Sequence, residues 1–237
     1  MLISLSKQFI FIASPKTAST AIENYLRRYA EIRLTRTPWG KHFSLAEVEN
    51  HFSWLRLRLP AMQLFVFGVI RDPVDYVLSI YNSHRKPAFA DQRHYTGNVP
   101  FASFWPEFSR QRSSWLSRPQ VSRFMRADGQ LGADCIIDYA HLQAAWPLLC
   151  QRLDVPEEPL KLANTSPKEA QRDDLPATII GEIYDYFAED VKALQMCWRP
   201  GSGGLSHDRT STPHVVHAGT TSTSTFSSCS PEPTNTP

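Results

Sequence analysis

Two spacings of apolar residues divide most of the chain into short strands and amphipathic helices. Phe9 to Ala13 is a short apolar run, and Leu64 to Ile70 ("LFVFGVI") is apolar on both faces. A run of the second kind is typical of a central strand in a parallel sheet, because helices cover both sides of such a sheet. We therefore predict a strand at each run and place the second one in the interior of the sheet.

Helical spacing follows both runs. Thr20 to Glu23 and Ser44 to Glu47 both read T/S-x-x-E, the pattern of an N-terminal capping box, and each begins a predicted helix. Asp72 and Pro73 come directly after the second run, as the expected N-cap and first residue of a third helix. The apolar faces of the first and third helices are formed by Ile22, Tyr25, Leu26 and Tyr29, and by Val74, Val77, Leu78 and Tyr81.

Three further helices and one strand are predicted later in the chain. The helices are expected over Phe101 to Arg112, His141 to Leu153 and Leu175 to Leu194, and the strand near Cys135 to Asp138. Strands that alternate with helices are typical of an α/β domain with a mainly parallel central sheet. In such sheets, ligands bind beyond the carboxyl ends of the strands.

The composition changes after residue 197. Residues 198–237 are mostly Ser, Thr, Pro and Gly, with few apolar side chains to bury. Because such a segment cannot offset the entropy lost on ordering, we predict one domain over 1–197 and a disordered tail over 198–237. His214 and His217 in this tail have metal-like spacing, but no third ligand accompanies them, so we expect no metal site.

Bulk properties narrow the class of protein and its compartment. The formal net charge of the 237 residues is +2, which is too small for a general nucleic-acid binder. No apolar run approaches the ~20 residues that cross a bilayer. Lys7 and Gln8 interrupt the N-terminal apolar residues, so we interpret them as the first strand and not as a signal peptide. The four cysteines form no C-x-x-C pair, so we expect free thiols and a cytoplasmic protein.

The turn after the first run is a candidate anion site. "SPKTAST" leads into a helix N-terminus, where backbone N–H groups lack partners and the helix dipole is positive. Lys16, Thr17, Ser19 and Thr20 add a cation and three hydroxyls. There is no glycine, and the lysine precedes the loop instead of following it, so this is not a Walker loop and magnesium–ATP chemistry is disfavoured. The alternative is an ordinary strand–helix turn with an exposed lysine.

The turn after the second run carries a second candidate. Arg71 ends the buried strand, and Ser79 lies two helical turns later. A guanidinium and a hydroxyl that reach one crevice suit a phosphate group. The alternative is that Arg71 caps the sheet edge, paired to Asp72 or Asp75. The predicted polar stripe of this helix consists of Asp72, Asp75, Tyr76, Ser79 and Asn82.

The segments "SPKTASTAIENYL" and "VIRDPVDYVLSIY" together resemble the two signature segments of sulfotransferases that use 3′-phosphoadenosine 5′-phosphosulfate (PAPS). The resemblance is nearer to carbohydrate-type and bacterial members than to those acting on small phenols. It spans about residues 8 to 195 and includes "KHFSLAEVE", "YTGNVPFASFW", "SSWL…DG" and "LKLANTSPKE". It implies a P-loop NTPase-like, three-layer α/β/α fold. It also implies sulfuryl transfer from PAPS to a hydroxyl acceptor, expected to be a carbohydrate, without a metal.

The resemblance also implies roles for particular residues. Arg71 and Ser79 match the 3′-phosphate site, and Lys168 lies in a segment that in relatives closes over the nucleotide; a solvated loop lysine is the alternative there. The family often has glycine at the position of Ala18 or Ser19, so a left-handed backbone there would strain this loop. The residues that match the 5′-phosphosulfate loop, the first of which would contact the transferring group, are Lys16, Thr17, Ala18, Ser19 and Thr20.

His42 is the predicted general base. It stands just before Ser44, on a loop that returns toward the ligand edge of the sheet, and a base of this kind contributes ~10²–10⁴-fold to the rate. A histidine that satisfies a local carbonyl is one alternative, and Glu23 as base is another. Trp115 is predicted to be a core residue, or else to frame the acceptor or the adenine. Two other functions stay open: a nucleotide or small-molecule kinase, and a non-catalytic relative that binds the nucleotide.

Overall fold

The structure of the chain is a computed structural model. It describes residues 1–35, 41–52, 54, 64–92, 94–111, 114–161 and 169–198. Lys168, Cys229 and the predicted tail from 199 onward therefore lie outside the described residues. Trp198 donates its N–H to the Ile136 carbonyl at 2.9 Å, so the folded part continues one residue beyond the predicted domain boundary.

Five strands form one mixed sheet in the order β3-β1-β2-β4-β5. The three strands β2, β4 and β5 are parallel to one another, whereas β1 is antiparallel to both β2 and β3. The prediction of a mainly parallel sheet thus holds for its core. The N-terminal residues, predicted as one strand, form two strands joined by a turn. The strand bounds are Leu2–Ser4 (β1), Phe9–Ile12 (β2), Ile32–Arg33 (β3), Phe65–Ile70 (β4) and Cys135–Asp138 (β5).

Seven α-helices lie within the described ranges. Each of the six predicted helices is found, but the last one is interrupted at Phe187, whose φ of −102° and ψ of 33° are not helical. It is therefore two helices. The helix bounds are Ser19–Leu26 (α1), Leu45–His51 (α2), Pro73–His84 (α3), Phe101–Arg110 (α4), Leu142–Arg152 (α5), Ala177–Tyr186 (α6) and Ala188–Met196 (α7).

Two of the three predicted N-caps are confirmed. Ser44 and Glu47 form a capping box at α2, and Asp72 accepts hydrogen bonds from the N–H groups of two residues in the first turn of α3. The box predicted at Thr20 and Glu23 is wrong, because α1 begins one residue earlier, after Ala18, and has no side-chain cap. The Glu23 carboxylate instead accepts hydrogen bonds from Lys41, at 2.6 Å, and from the amino group of Met1.

Helices cover both faces of the sheet. One face, with Phe11 and Phe67, packs against α1 and α5, and the other, with Ile10 and Val66, packs against α2 and α7. All six residues of β4 are buried, which confirms it as the central strand. A third cluster joins α3, α4 and α6 beside the sheet. None of the described helices combines the length and apolarity that crossing a bilayer requires. Cys135 and Cys150 are buried free thiols, as expected.

Candidate functional site

The two candidate turns meet at one edge of the sheet. Because β2 and β4 are adjacent and parallel, the turns that follow Ile12 and Ile70 leave the sheet side by side. Between them lies a cleft of about 730 Å³, within the usual range of small-molecule sites. The residues singled out from the sequence that line this cleft are Lys16, Ala18, Ser19, Thr20, His42, Arg71 and Ser79.

Thr17 does not face the cleft. Its side chain is fully buried, and its hydroxyl donates a hydrogen bond to the Ser14 carbonyl at 2.9 Å. This bond closes the turn on itself, so Thr17 can offer a ligand its backbone N–H but not its hydroxyl. The sequence did not distinguish this hydroxyl from those of Ser19 and Thr20, because all three lie on the same short turn.

The backbone of the first turn is strained at two residues. Lys16 has a φ of 62° and Ala18 a φ of 57°, both in the left-handed region. For a residue with a Cβ, this conformation costs roughly 1–2 kcal/mol. Ala18 has a left-handed backbone and is directly followed by Ser19, the first residue of the right-handed helix α1. A left-handed residue next to a right-handed one turns successive N–H groups toward one concave surface. The strain anticipated for a loop without glycine is therefore present, and it accompanies a geometry that suits an anion.

Lys16 and Arg71 bring two cations together in the cleft. An Arg71 guanidinium nitrogen, Nη1, donates to the backbone carbonyl of Lys16 at 3.4 Å. Burial lowers the pKa of Lys16 to about 8, and repulsion by Lys86 and by Arg71 adds to this shift. No carboxylate within the described ranges forms an ion pair with Lys16. A ligand that supplies negative charge here would offset both the energetic cost of burying the Lys16 charge and the repulsion between the cations.

The guanidinium of Arg71 is only partly satisfied. Its Nε is buried and has no hydrogen-bond partner among the described residues, and its Cζ lies 4.6 Å from the centroid of the Tyr139 ring. The alternative in which Arg71 pairs with Asp72 or Asp75 is wrong, since both carboxylates lie beside Arg172 instead, at 3.0 and 3.9 Å. Arg71 therefore retains donors for a ligand.

A buried chain of hydrogen bonds from Asp190 through Gln120, which we call the relay, fixes the backbone of Arg71. The Gln120 side chain accepts a hydrogen bond from the Arg71 N–H at 3.0 Å and donates one to the Arg71 carbonyl at 2.7 Å. Asp190, which is fully buried on α7, accepts hydrogen bonds from the backbone N–H of Gln120 and of Val121, both at 2.8 Å. Burial raises the pKa of Asp190 to about 6, although these N–H groups oppose the shift. This relay was missed from the sequence because its members are far apart along the chain.

Ser79 shares the cleft-facing side of α3 with other polar residues. Asp75 and Asn82 on this helix, and Lys86 just beyond its end, also line the cleft. The predicted polar stripe is wrong at Tyr76, which is fully buried and donates a hydrogen bond to the Leu116 carbonyl. Asn82 is also buried, and its amide exchanges two hydrogen bonds with the backbone of Ala170.

His42 has the geometry of a neutral base. Its Nδ1 donates to the Ala13 carbonyl at 2.6 Å, and a neutral ring held this way carries its free electron pair on Nε2. Burial lowers the pKa of His42 to about 4; the carbonyl opposes this shift, and Lys41 and Arg123 add to it. The carbonyl contact given as an alternative to a catalytic role is therefore real, and it leaves Nε2 able to accept a proton. Glu23, the other candidate base, does not line the cleft.

The cleft also contains Trp115 and His84. Trp115 was predicted to be a core residue or else to frame the acceptor or the adenine; it is 48% exposed, so the core prediction is wrong, and it stacks on His42 with the ring centroids 5.2 Å apart. His84 lines the cleft on α3, where burial, His94 and Lys16 lower its pKa to about 4. His84 lies on the same helix as Ser79, and no local pattern in the sequence marks Trp115 or His84 as a cleft residue.

The described part of the chain holds no group of three or more His, Cys, Asp or Glu side chains placed to bind a metal ion. Comparisons of the chain with protein-family models, with curated proteins and with solved structures found no match.

Proposed function

We propose that the cleft binds PAPS and that the protein transfers its sulfuryl group to a hydroxyl group of a carbohydrate. The observation that supports this proposal is the meeting of Lys16 and Arg71, from two separate motifs, in one cleft where neither forms an ion pair with a carboxylate of the described residues. A ligand with phosphate groups at both ends of a nucleoside would supply charge to both residues. We extend the proposal to the fold, which we take to be P-loop NTPase-like.

The first turn would hold the 5′ end of the nucleotide. Ser19 and Thr20 lie in the first turn of α1, where free N–H groups and the helix dipole favour an anion. Lys16, at the start of the turn, would contact the group that is transferred.

The second turn would hold the 3′-phosphate. Arg71 has an unpartnered buried Nε, and Ser79 offers a hydroxyl from the next element, α3. A charge-assisted hydrogen bond of this kind contributes about 1.5–3 kcal/mol. The Gln120 relay would keep the arginine backbone in place while its side chain binds the ligand.

The transfer itself is a displacement at sulfur. A bond forms between the acceptor oxygen and sulfur while the bond from sulfur to the bridging oxygen of the 5′-phosphate breaks. The proton of the acceptor hydroxyl passes to His42 Nε2, and the charge left on the phosphate develops beside Lys16. The products are a sulfate ester and 3′,5′-adenosine bisphosphate (PAP), and the enzyme contributes alignment and electrostatic stabilisation.

Radiolabelled PAPS incubated with the purified protein and a panel of glycans tests the proposal. We expect label on a glycan, with turnover lowered at least ~100-fold in Lys16→Ala, because the lysine acts on charge that develops in the transition state. Lys192→Ala, at an exposed lysine of α7, serves as the matched control and should keep the wild-type rate.

The outcomes separate the three functions considered. PAP binding without transfer to any acceptor would favour a non-catalytic relative. Magnesium-dependent ATP hydrolysis would favour a kinase. If the wild-type protein neither transfers label nor binds PAP, the proposal is wrong.

A further inference from the structure

Trp115 lines the cleft but has no role in the proposed contacts with the nucleotide. It is 48% exposed and lines the cleft, whereas Trp105 and Trp146 are 3% and 2% exposed. Another exposed tryptophan, Trp54, does not line the cleft. An indole left open at this place has surface available for a ligand.

Buried groups hold Trp115 in its exposed position. Arg123, only 7% exposed, donates to the backbone carbonyls of both Trp115 and His42, and its guanidinium carbon lies 5.4 Å from the indole centroid. The fully buried Tyr76 donates to the carbonyl of Leu116, the next residue, at 2.9 Å. These bonds hold the backbone that carries the indole, and the ring contacts with His42 and Arg123 restrict the indole itself, which lowers the entropic cost of binding.

Trp115 lies at the end of the cleft where the acceptor would react. Its ring stacks on His42 with an interplanar angle of 20°. Tyr139, by contrast, lies against Arg71, at the proposed 3′-phosphate end. A ring resting on the part of this indole face that His42 leaves open would bring its substituents to the edge of the proposed base and away from the proposed 3′-phosphate end.

Charge and polarity at this end select the class of ring. The two nearby cations are already occupied, since Arg123 binds two carbonyls and Lys41 binds Glu23. Arg123 is buried with its donors directed at those carbonyls, and Lys41 is ion-paired, so neither is placed to pair with an anionic group on a ligand. The wall there includes hydrogen-bonding groups, Thr20 and Lys41, which suit the hydroxyls of a sugar.

We propose that the exposed indole of Trp115 is a binding platform for a neutral pyranose ring, which presents its C–H face to the indole and its hydroxyls to His42. Tryptophan suits this use because it offers a large rigid apolar face. The role of this platform as the acceptor subsite rests on the proposed function, whereas binding of the sugar does not.

Saturation-transfer NMR with two neutral β-linked trisaccharides, cellotriose and N,N′,N″-triacetylchitotriose, tests the platform. We expect wild type to bind at least one of them in the presence of PAP, and Trp115→Ala to bind it about tenfold more weakly, the scale of one lost stacking contact. Trp115→Phe should restore part of the affinity. Trp54→Ala, at an equally exposed tryptophan, should bind as wild type does.

Calorimetric titration of the same samples with PAP separates this inference from the proposed function. If PAP does not bind the wild-type protein, the proposed function is contradicted. The platform is then judged by the trisaccharide binding of wild type and Trp115→Ala. The platform is overturned if neither trisaccharide binds wild type, or if Trp115→Ala binds them unchanged. It is also overturned if 2-naphthol displaces the trisaccharide, or if Trp115→Ala loses affinity for PAP instead, which would make the indole an adenine contact.

Discussion

Lys16 and Arg71 repel each other in a partly buried cleft, and this repulsion is the residue-scale basis of the proposed site. Burial and two neighbouring cations lower the pKa of Lys16 to about 8, so the charge that would stabilise the leaving group is easily lost. His42, with a pKa lowered to about 4 chiefly by burial, stays neutral over the same range and can accept a proton. Burial of the two side chains thus favours the charge states that the proposed mechanism needs, a lysine that is cationic below about pH 8 and a neutral histidine.

The pH dependence of catalysis should report Lys16. Because the protonated lysine is the active form, kcat/KM for PAPS should fall as pH rises through about 8. Lys16→Arg should retain part of the activity and move this alkaline limb upward, since an arginine stays charged far above pH 8. The measurement is a kcat/KM profile from pH 6 to 10 for both proteins, and an unchanged alkaline limb would remove Lys16 from the account.

The left-handed Ala18 makes a prediction about stability. Ala18→Gly relieves the strain at a φ of 57°, so it should leave the free energy of unfolding unchanged or raise it by up to ~1 kcal/mol. Ala144→Gly, at an exposed position inside α5, should instead lower it by about 1 kcal/mol. Urea unfolding of both variants provides the comparison, and an equal loss in the two would mean that Ala18 is not strained.

At the scale of elements, strands and helices place the site, and much of this could be predicted from the sequence. The bounds of β4 and α3 follow from a continuous apolar run and from a Pro at the first helical position, both local signals. The hairpin of β1 and β2 and the interruption at Phe187 were missed, because turns and tertiary packing decided them. The contact of Gln120 with Arg71 has no local signal either, because 49 residues separate the two.

The Asp190 relay predicts an unusual dependence of stability on pH. Burial raises the pKa of Asp190 to about 6 in the folded protein, so the folded state binds more protons than the unfolded state between pH 4 and 6. The free energy of unfolding contributed by this group therefore falls as pH rises through that window, by about 2–3 kcal/mol. Asp190→Asn lacks this titration.

Urea unfolding at pH 4.5 and pH 7 measures this effect, since the difference between wild type and Asp190→Asn cancels the other titrating groups. Wild type should lose more stability than the variant between the two pH values. Equal losses in both proteins would contradict the role given to Asp190.

At the scale of the whole molecule, the parallel pairing of β2 with β4 brings two distant motifs to one cleft. The motifs are centred more than fifty residues apart, yet the Arg71 side chain contacts the Lys16 backbone. The sequence predicted this meeting from the rule that ligands bind beyond the carboxyl ends of parallel strands. It could not predict that Arg172 would complete the wall, or decide between a core and a cleft position for Trp115, since both depend on packing between distant segments.

The central claim is that one nucleotide with phosphates at both its 5′ and 3′ ends spans this cleft. Calorimetric titration of PAP, 5′-AMP and 3′-AMP into wild type, Arg71→Ala and Thr20→Val tests it most directly. Wild type should bind PAP more tightly than either monophosphate, by at least about tenfold for the loss of a charge-assisted contact. Arg71→Ala should bind PAP no more tightly than 5′-AMP, but should still prefer PAP to 3′-AMP. Thr20→Val should keep the preference for PAP over 5′-AMP and lose part of the preference for PAP over 3′-AMP. Equal affinity of the wild-type protein for all three nucleotides would contradict the claim.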